Sequence, residues 1–135
     1  MVTRFENWPL ILSEYLTEKE GVAFEWYKND CSSFIAEAVK RITGEDFFKL
    51  YNDYHDERSA AVLLKKNGGP SGIITKCLGE GSTNILMAKR GDIVVVNEPL
   101  EAAGIVDDSG QRVAVLSKEG LIRIPLTKAK KFWSY

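Results

Sequence analysis

The hydrophobic period changes partway along this chain, and that change constrains the fold more than any single motif does. Up to about residue 67, apolar residues recur at spacings of three and four. From about residue 91 they fall in short runs of β-branched residues separated by turns. Helices first and sheet second predict an α+β domain, with N-terminal helices packed on a small, curled antiparallel sheet. A length of 135 residues suits a single domain over 1–135, helical over about 7–67 and sheet over about 91–135. No internal repeat, low-complexity tract or linker interrupts it.

A first helix is expected to start with Asn7 as cap and Pro9 in its first turn, where a missing N–H costs nothing, and to stop at Gly21. Residues 22–28 are aromatic-rich and suit an extended piece. Asn29 and Asp30 then cap a helix from Cys31 to about Thr43. Phe34, Ile35, Ala38, Val39 and Ile42 give it one buried face, and Gly44 ends it. Residues 46–54 and 58–66 read as two further short helices. The Asn67-to-Gly72 stretch breaks the second, residues 73–78 have no settled type, and 79–83 read as loop. Strands are expected at Ile93–Val96, Ala102–Val106, Arg112–Leu116 and Leu121–Ile124. Asp107–Gly110 and Lys118–Gly120 form the turns, and 128–133 a closing turn or edge strand.

Composition narrows the chemistry. Eighteen Lys and Arg against nineteen Asp and Glu leave a net charge of −1, no electrostatic basis for nucleic acid or an anionic membrane as main partner. No apolar run approaches the ~20 residues of a membrane span, and the N-terminus lacks the regions of a signal peptide. Two cysteines and one histidine cannot complete a four-ligand zinc site, and no cofactor motif is present. The expectation is synthesis in a cytoplasm with both thiols reduced.

Asn29-Asp30-Cys31-Ser32-Ser33-Phe34 places a thiol in the first turn of a buried helix. Unpaired N–H groups and the positive helix end favour a thiolate there, so the pKa is expected below the usual ~8.5, and the same N–H groups could hold an oxyanion. The competing reading of Cys31 is a small buried hydrophobe behind a cap. Nucleophilic work would also need a base within reach.

The order of elements and several motifs resemble the papain-like fold of the NlpC-type cell-wall peptidases. Trp26, Asn29, Asp30, Cys31, Ser32 and Phe34 match the nucleophile motif. Lys89-Arg90-Gly91-Asp92-Ile93-Val94 matches the Gly-Asp strand entry, and Ala103-Gly104-Ile105-Val106 the strand that usually reads His-Val-Gly-Ile. The likeness runs from about residue 22 to the C-terminus. Thr43-Gly44-Glu45-Asp46, the Tyr51-to-Tyr54 segment, Gly120-Leu121-Ile122 and Phe132-Trp133 are similar to a small group of such proteins encoded by tailed phages and prophages. The resemblance implies a catalytic dyad of Cys31 and a strand histidine, with Asp30 beside the nucleophile.

The departure is at the base. Aligned on Gly104-Ile105, the histidine position falls on Ala102, and the next strand (113–115) offers no polar residue to orient an imidazole. Loss of a general base costs about 10²–10⁴ in rate. His55, in the polar stretch 51–58, reads as a solvated surface imidazole, and as a substitute base only if that segment folds over the Cys31 helix end. Cys77 reads as a buried thiol. The glycine stretches 68–72 and 79–83 lack the Lys-Ser/Thr of a phosphate loop. In the basic-aromatic tail 128–135, Phe132 and Trp133 are expected to dock on the domain or on a partner rather than on single-stranded nucleic acid.

The resulting expectation is a non-catalytic structural or assembly component of a phage tail tip or baseplate, located in the virion tail. Its partners would be hub, distal-tail or tape-measure-associated proteins, with Trp8, Trp26, Tyr27 and Trp133 as candidate anchors. The alternative is an active cysteine peptidase or amidase acting on peptidoglycan through Cys31, with His55 or a partner's residue as base. A third is an assembly chaperone absent from the finished particle.

Overall fold

The computed structural model describes residues 3–26, 28–51, 53–97 and 101–135. Helices α1 (Trp8–Lys19), α2 (Cys31–Thr43), α3 (Glu57–Asn67) and α4 (Gly69–Leu78) precede strands β1 (Ile93–Asn97), β2 (Glu101–Val106), β3 (Arg112–Ser117), β4 (Gly120–Pro125) and β5 (Ala129–Trp133). The strands form one open antiparallel sheet in the order β4-β3-β2-β1-β5, so the expected α+β class is observed.

Cross-strand register sorts the sheet residues into two faces, because side chains alternate along a strand. Ile93 pairs with Ile105 and Trp133, Val95 with Ala103, and Ile105 with Ala114. These residues form one buried cluster with Leu12, Leu16, Phe34, Val39 and Ile42 of α1 and α2. Val94, Val96, Val106, Val113, Val115 and Phe132 make a second cluster on the other face, under Ile85 and Leu126. Burial on both faces explains the continuous β-branched run of β1. Gly104 has a packing role in this sheet: a Cβ there would lie 2.6 Å from the Ala114 carbonyl oxygen and 2.7 Å from Val113 Cγ1.

Helix α2 has the expected bounds, buried face and glycine end, with Gly44 left-handed at φ 82°. Three other expectations need amending. Asn7 does stand at the N-cap of α1, but its side chain makes no cap bond; its backbone carbonyl accepts the N–H groups of Leu10 and Ile11. Residues 46–54 hold only a 3₁₀ turn, Lys49–Tyr51. Phe48 and Tyr54 are both turned inward there, six residues apart, a spacing no helix face provides. The glycine stretch is not a plain break. Gly68 and Gly69 (φ 81° and 80°) reverse the chain, and α4 starts at once with Pro70 in its first turn, burying Ile73 and Ile74. Helical structure therefore reaches residue 78 rather than 67.

The edge-strand reading of the tail holds: β5 pairs with β1. Phe132 and Trp133 are buried, and Trp133 Nε1 donates to the Gly79 carbonyl at 2.9 Å. Trp133 is thus part of the core, not an anchor for a partner. Trp8 packs under the Arg4 and Arg90 guanidinium groups and Trp26 lies edge-on to Phe24, while Tyr27 lies outside the described residues.

Candidate functional site around Cys31

The end of α2 is held from three directions. Asp30 caps the helix with extended backbone (φ −122°, ψ −179°). Its Oδ1 accepts the Ser33 N–H at 2.8 Å while Ser33 Oγ accepts the Asp30 N–H at 2.9 Å, a reciprocal capping box. The other carboxylate oxygen accepts the Tyr54 hydroxyl at 2.6 Å, both residues being buried. Asn29, also buried, donates through Nδ2 to the Ala23 carbonyl at 2.7 Å and exchanges two backbone bonds with Glu25, which pins the preceding loop.

These restraints set Cys31 at the helix mouth, partly exposed, against the backbone of Ala103 on β2. Burial raises its pKa above the ordinary thiol value, and the Asp30 charge adds to the rise. Hydrogen bonds from the Ala103 backbone and Ser32 oppose them without winning. The expected lowering is therefore overturned: burial outweighs the positive helix end, and the carboxylate that caps that end adds to the rise. Burial likewise pushes the Tyr54 hydroxyl well above its usual value, with the bond to Asp30 contributing.

The strand position where the resemblance implies a histidine turns away from α2. Ala102 belongs to the sheet face turned away from α2, packing with the second cluster, whereas Ala103 faces the helix. The thiol meets this strand at the Ala103 backbone. Ala114 and Leu116 of β3 continue the same apolar face, so that strand supplies no orienting group.

His55 is placed elsewhere. Its imidazole is 84% exposed and 3.6 Å from Asp56, at the start of α3, while its backbone N–H donates to Ser59 Oγ. Besides burial, Asp30, Ser32 and the Ala103 backbone set the shift of the thiol, Tyr54 in turn feels the Cys31 charge, and His55 figures in neither. Cys77 sits on α4, partly buried, its pKa pushed up to about 11 by burial. Among the described residues no three His, Cys, Asp or Glu side chains group as metal ligands, and no helix is long and apolar enough to cross a membrane.

Sequence reasoning passed over two features. Tyr54 lies in a segment quoted only for its likeness, and the one local signal for its role was a hydroxyl-bearing aromatic in an otherwise polar stretch. The second feature is an open cleft of about 340 Å³ along α2 from Ser32 to Arg41, lined also by Lys19, Lys28, Asp46, Phe48, Tyr51 and Tyr54.

A family model described as "Domain of unknown function (DUF6950)" matches residues 3–135, and the chain belongs to that family. No curated protein matches it.

Proposed function

We propose that this member of the DUF6950 family is a non-catalytic domain on a papain-like, NlpC-type plan, serving as a structural or assembly component of a phage tail tip or baseplate. One observation carries the non-catalytic reading: the Cys31 thiol meets the Ala103 strand with no imidazole acting on it, and burial beside Asp30 keeps it protonated. A protonated thiol is a poor nucleophile, and an amide leaving group would find no general acid. The papain-like plan draws support from the helix-borne thiol facing the second strand of an antiparallel sheet, in the order the resemblance implies. Placement in a tail, beside hub, distal-tail or tape-measure-associated proteins, rests on the motifs shared with the phage-encoded group.

Iodoacetamide alkylation of Cys31 across pH tests the non-catalytic half. Half-maximal rate above the ~8.5 of a free thiol is expected. A midpoint below pH 7 that vanishes in His55→Ala, with cleavage of a muropeptide, would establish the hydrolase instead. Mass spectrometry of purified particles tests the other half, because a virion subunit persists there at fixed stoichiometry and an assembly chaperone does not.

A further inference from the structure

The corner between α3 and α4 holds the only Asn-Gly pair of the sequence, Asn67-Gly68. Such a pair readily loses ammonia, because a glycine carries no Cβ to keep its backbone nitrogen away from the asparagine side chain. Ring closure needs that nitrogen free to turn onto Asn67 Cγ. In the fold both reacting groups are held. Gly68 ends α3 in the left-handed conformation (φ 81°, ψ 28°), and its N–H donates to the Leu64 carbonyl. The Asn67 side chain donates through Nδ2 to the Leu63 carbonyl at 2.8 Å and accepts the Lys76 ammonium on Oδ1 at 2.7 Å. Leu63 lies on α3 and Lys76 on α4, so the amide is tied to both helices. The pair still lies at the surface, Gly68 exposed and Asn67 half-buried, and water reaches it once the corner opens.

We propose that Asn67-Gly68 is a deamidation site that the fold keeps closed, and that isoaspartate formed there unlocks α4 irreversibly. When the corner opens, hydroxide takes the Gly68 amide proton and the nitrogen attacks Asn67 Cγ. The N–Cγ bond forms and the Cγ–Nδ2 bond breaks. Ammonia leaves after taking a proton from water, which regenerates the hydroxide. Water then opens the succinimide ring. Attack at Cγ restores the main chain with an aspartate at position 67, and attack at the main-chain carbonyl gives isoaspartate. In the isoaspartate the chain runs through Cβ and Cγ, and the former main-chain carbonyl becomes a free carboxylate. That carbonyl lies against Gly72, where even an added Cβ would fall 1.8 Å from its oxygen, so a carboxylate has no room. The lengthened chain also carries the Gly68 N–H away from Leu64. The reversal at Gly68 and Gly69 cannot re-form, and α4, which buries Ile73 and Ile74 and carries Cys77, comes loose. A plain aspartate keeps the backbone and still accepts Lys76, so it leaves the corner closed.

The full chain, folded or in denaturing urea, is incubated in the same warm, mildly alkaline buffer. Peptide mapping by mass spectrometry follows conversion at position 67, and isoaspartyl methyltransferase counts the isoaspartate. Conversion is expected in urea, and at least about tenfold more slowly in the folded protein, each tenfold corresponding to ~1.4 kcal/mol of opening. Ile74→Ala strips α4 of a buried side chain and, with the circular dichroism of the parent, should raise the folded rate. Purified isoaspartate protein should let iodoacetamide reach Cys77 about tenfold faster than the parent does, whereas Asn67→Asp should match the parent. Equal rates in the folded and unfolded chain overturn the proposal, and so does an unconverted pair in urea. A folded Ile74→Ala that converts no faster than the parent removes the gating. Isoaspartate protein with the parent's Cys77 alkylation rate also overturns it, because α4 would then still be closed.

Discussion

At the scale of single residues, the site is governed by one carboxylate with two tasks. Asp30 caps α2 and accepts the buried Tyr54 hydroxyl, so its two oxygens join the helix to the segment before α3. Tyr54→Phe takes the hydroxyl donor from a buried carboxylate oxygen and should cost about 1–3 kcal/mol in urea unfolding. Asp30→Ala loses the cap as well and should cost more, and Asp30→Asn should fall between them. Equal stability of all three would show that the pair is idle. The thiols make a separate prediction. Burial raises the folded-state pKa of Cys31, and that of Cys77 to about 11, above the ~8.5 of an unfolded thiol. Above that value the unfolded chain releases protons that the folded chain retains, so stability is complete at neutral pH and falls as pH rises towards 11. The raised Tyr15, Tyr54 and Tyr135 act in the same direction above ~10. Cys31→Ala should flatten the decline in melting temperature between pH 8.5 and 10; an unchanged slope would mean the thiol is not held neutral by the fold.

At the scale of elements, legibility in the sequence followed the strength of local signals. Helix α2 announced itself because cap, apolar stripe and glycine end agree along one stretch, and its bounds match the structure. The strands did so because β-branched runs alternate with short turns. Helix α4 was missed because Gly68, Gly69, Pro70 and Gly72 all read as breakers, when two make the reversal and Pro70 opens the helix. Gly72 serves contact: a Cβ there would fall 1.8 Å from the Asn67 carbonyl oxygen, so the α3–α4 corner closes only over a glycine. The site was half legible. Cys31 and Asp30 stand out from the helix start, whereas the strand residue facing α2 is Ala103 and its neighbour Ala102 lies on the other face, a distinction of one residue that decides the face of a strand. Tyr54 could not be found, because its partner lies 24 residues away and only tertiary packing joins them. The same packing yields a prediction for β2. Gly104→Ala would press a methyl group against the β3 backbone and should destabilise the domain by about 1–3 kcal/mol or prevent its accumulation. A stable, folded G104A protein would show that the two strands have room to part.

At the scale of the whole molecule, both ends of the described chain converge on the entry to β1, and the convergence gives the Gly-Asp motif a structural role. Asp92, 1% exposed, accepts Arg4 Nη2 at 3.0 Å, the Lys89 N–H at 2.9 Å and the Ser134 hydroxyl at 2.8 Å. The Arg4 guanidinium lies between the rings of Trp8 and Tyr135, 4.4 and 4.5 Å from their centroids, and the Tyr135 hydroxyl donates to the Gly91 carbonyl at 2.6 Å. Each partner fixes another. The carboxylate orients the guanidinium, the guanidinium spaces the two rings, and the rings keep water from the pair. Gly91 has φ 85°, and a Cβ there would meet Arg4 Nη1 at 2.9 Å, so the tight turn also makes room for the clamp. Arg4→Ala leaves a buried carboxylate without its cation and should cost about 3 kcal/mol. Arg4→Lys should recover only part of that, because an ammonium cannot stack between two rings while pairing with Asp92. Asp92→Asn in the Arg4→Ala background should restore stability relative to Arg4→Ala alone, since it removes the unpaired charge. Urea midpoints of the four proteins decide it. If Arg4→Ala shifts stability by less than ~0.5 kcal/mol, the helices and sheet hold the first strand in place unaided, and the Gly-Asp entry needs another explanation.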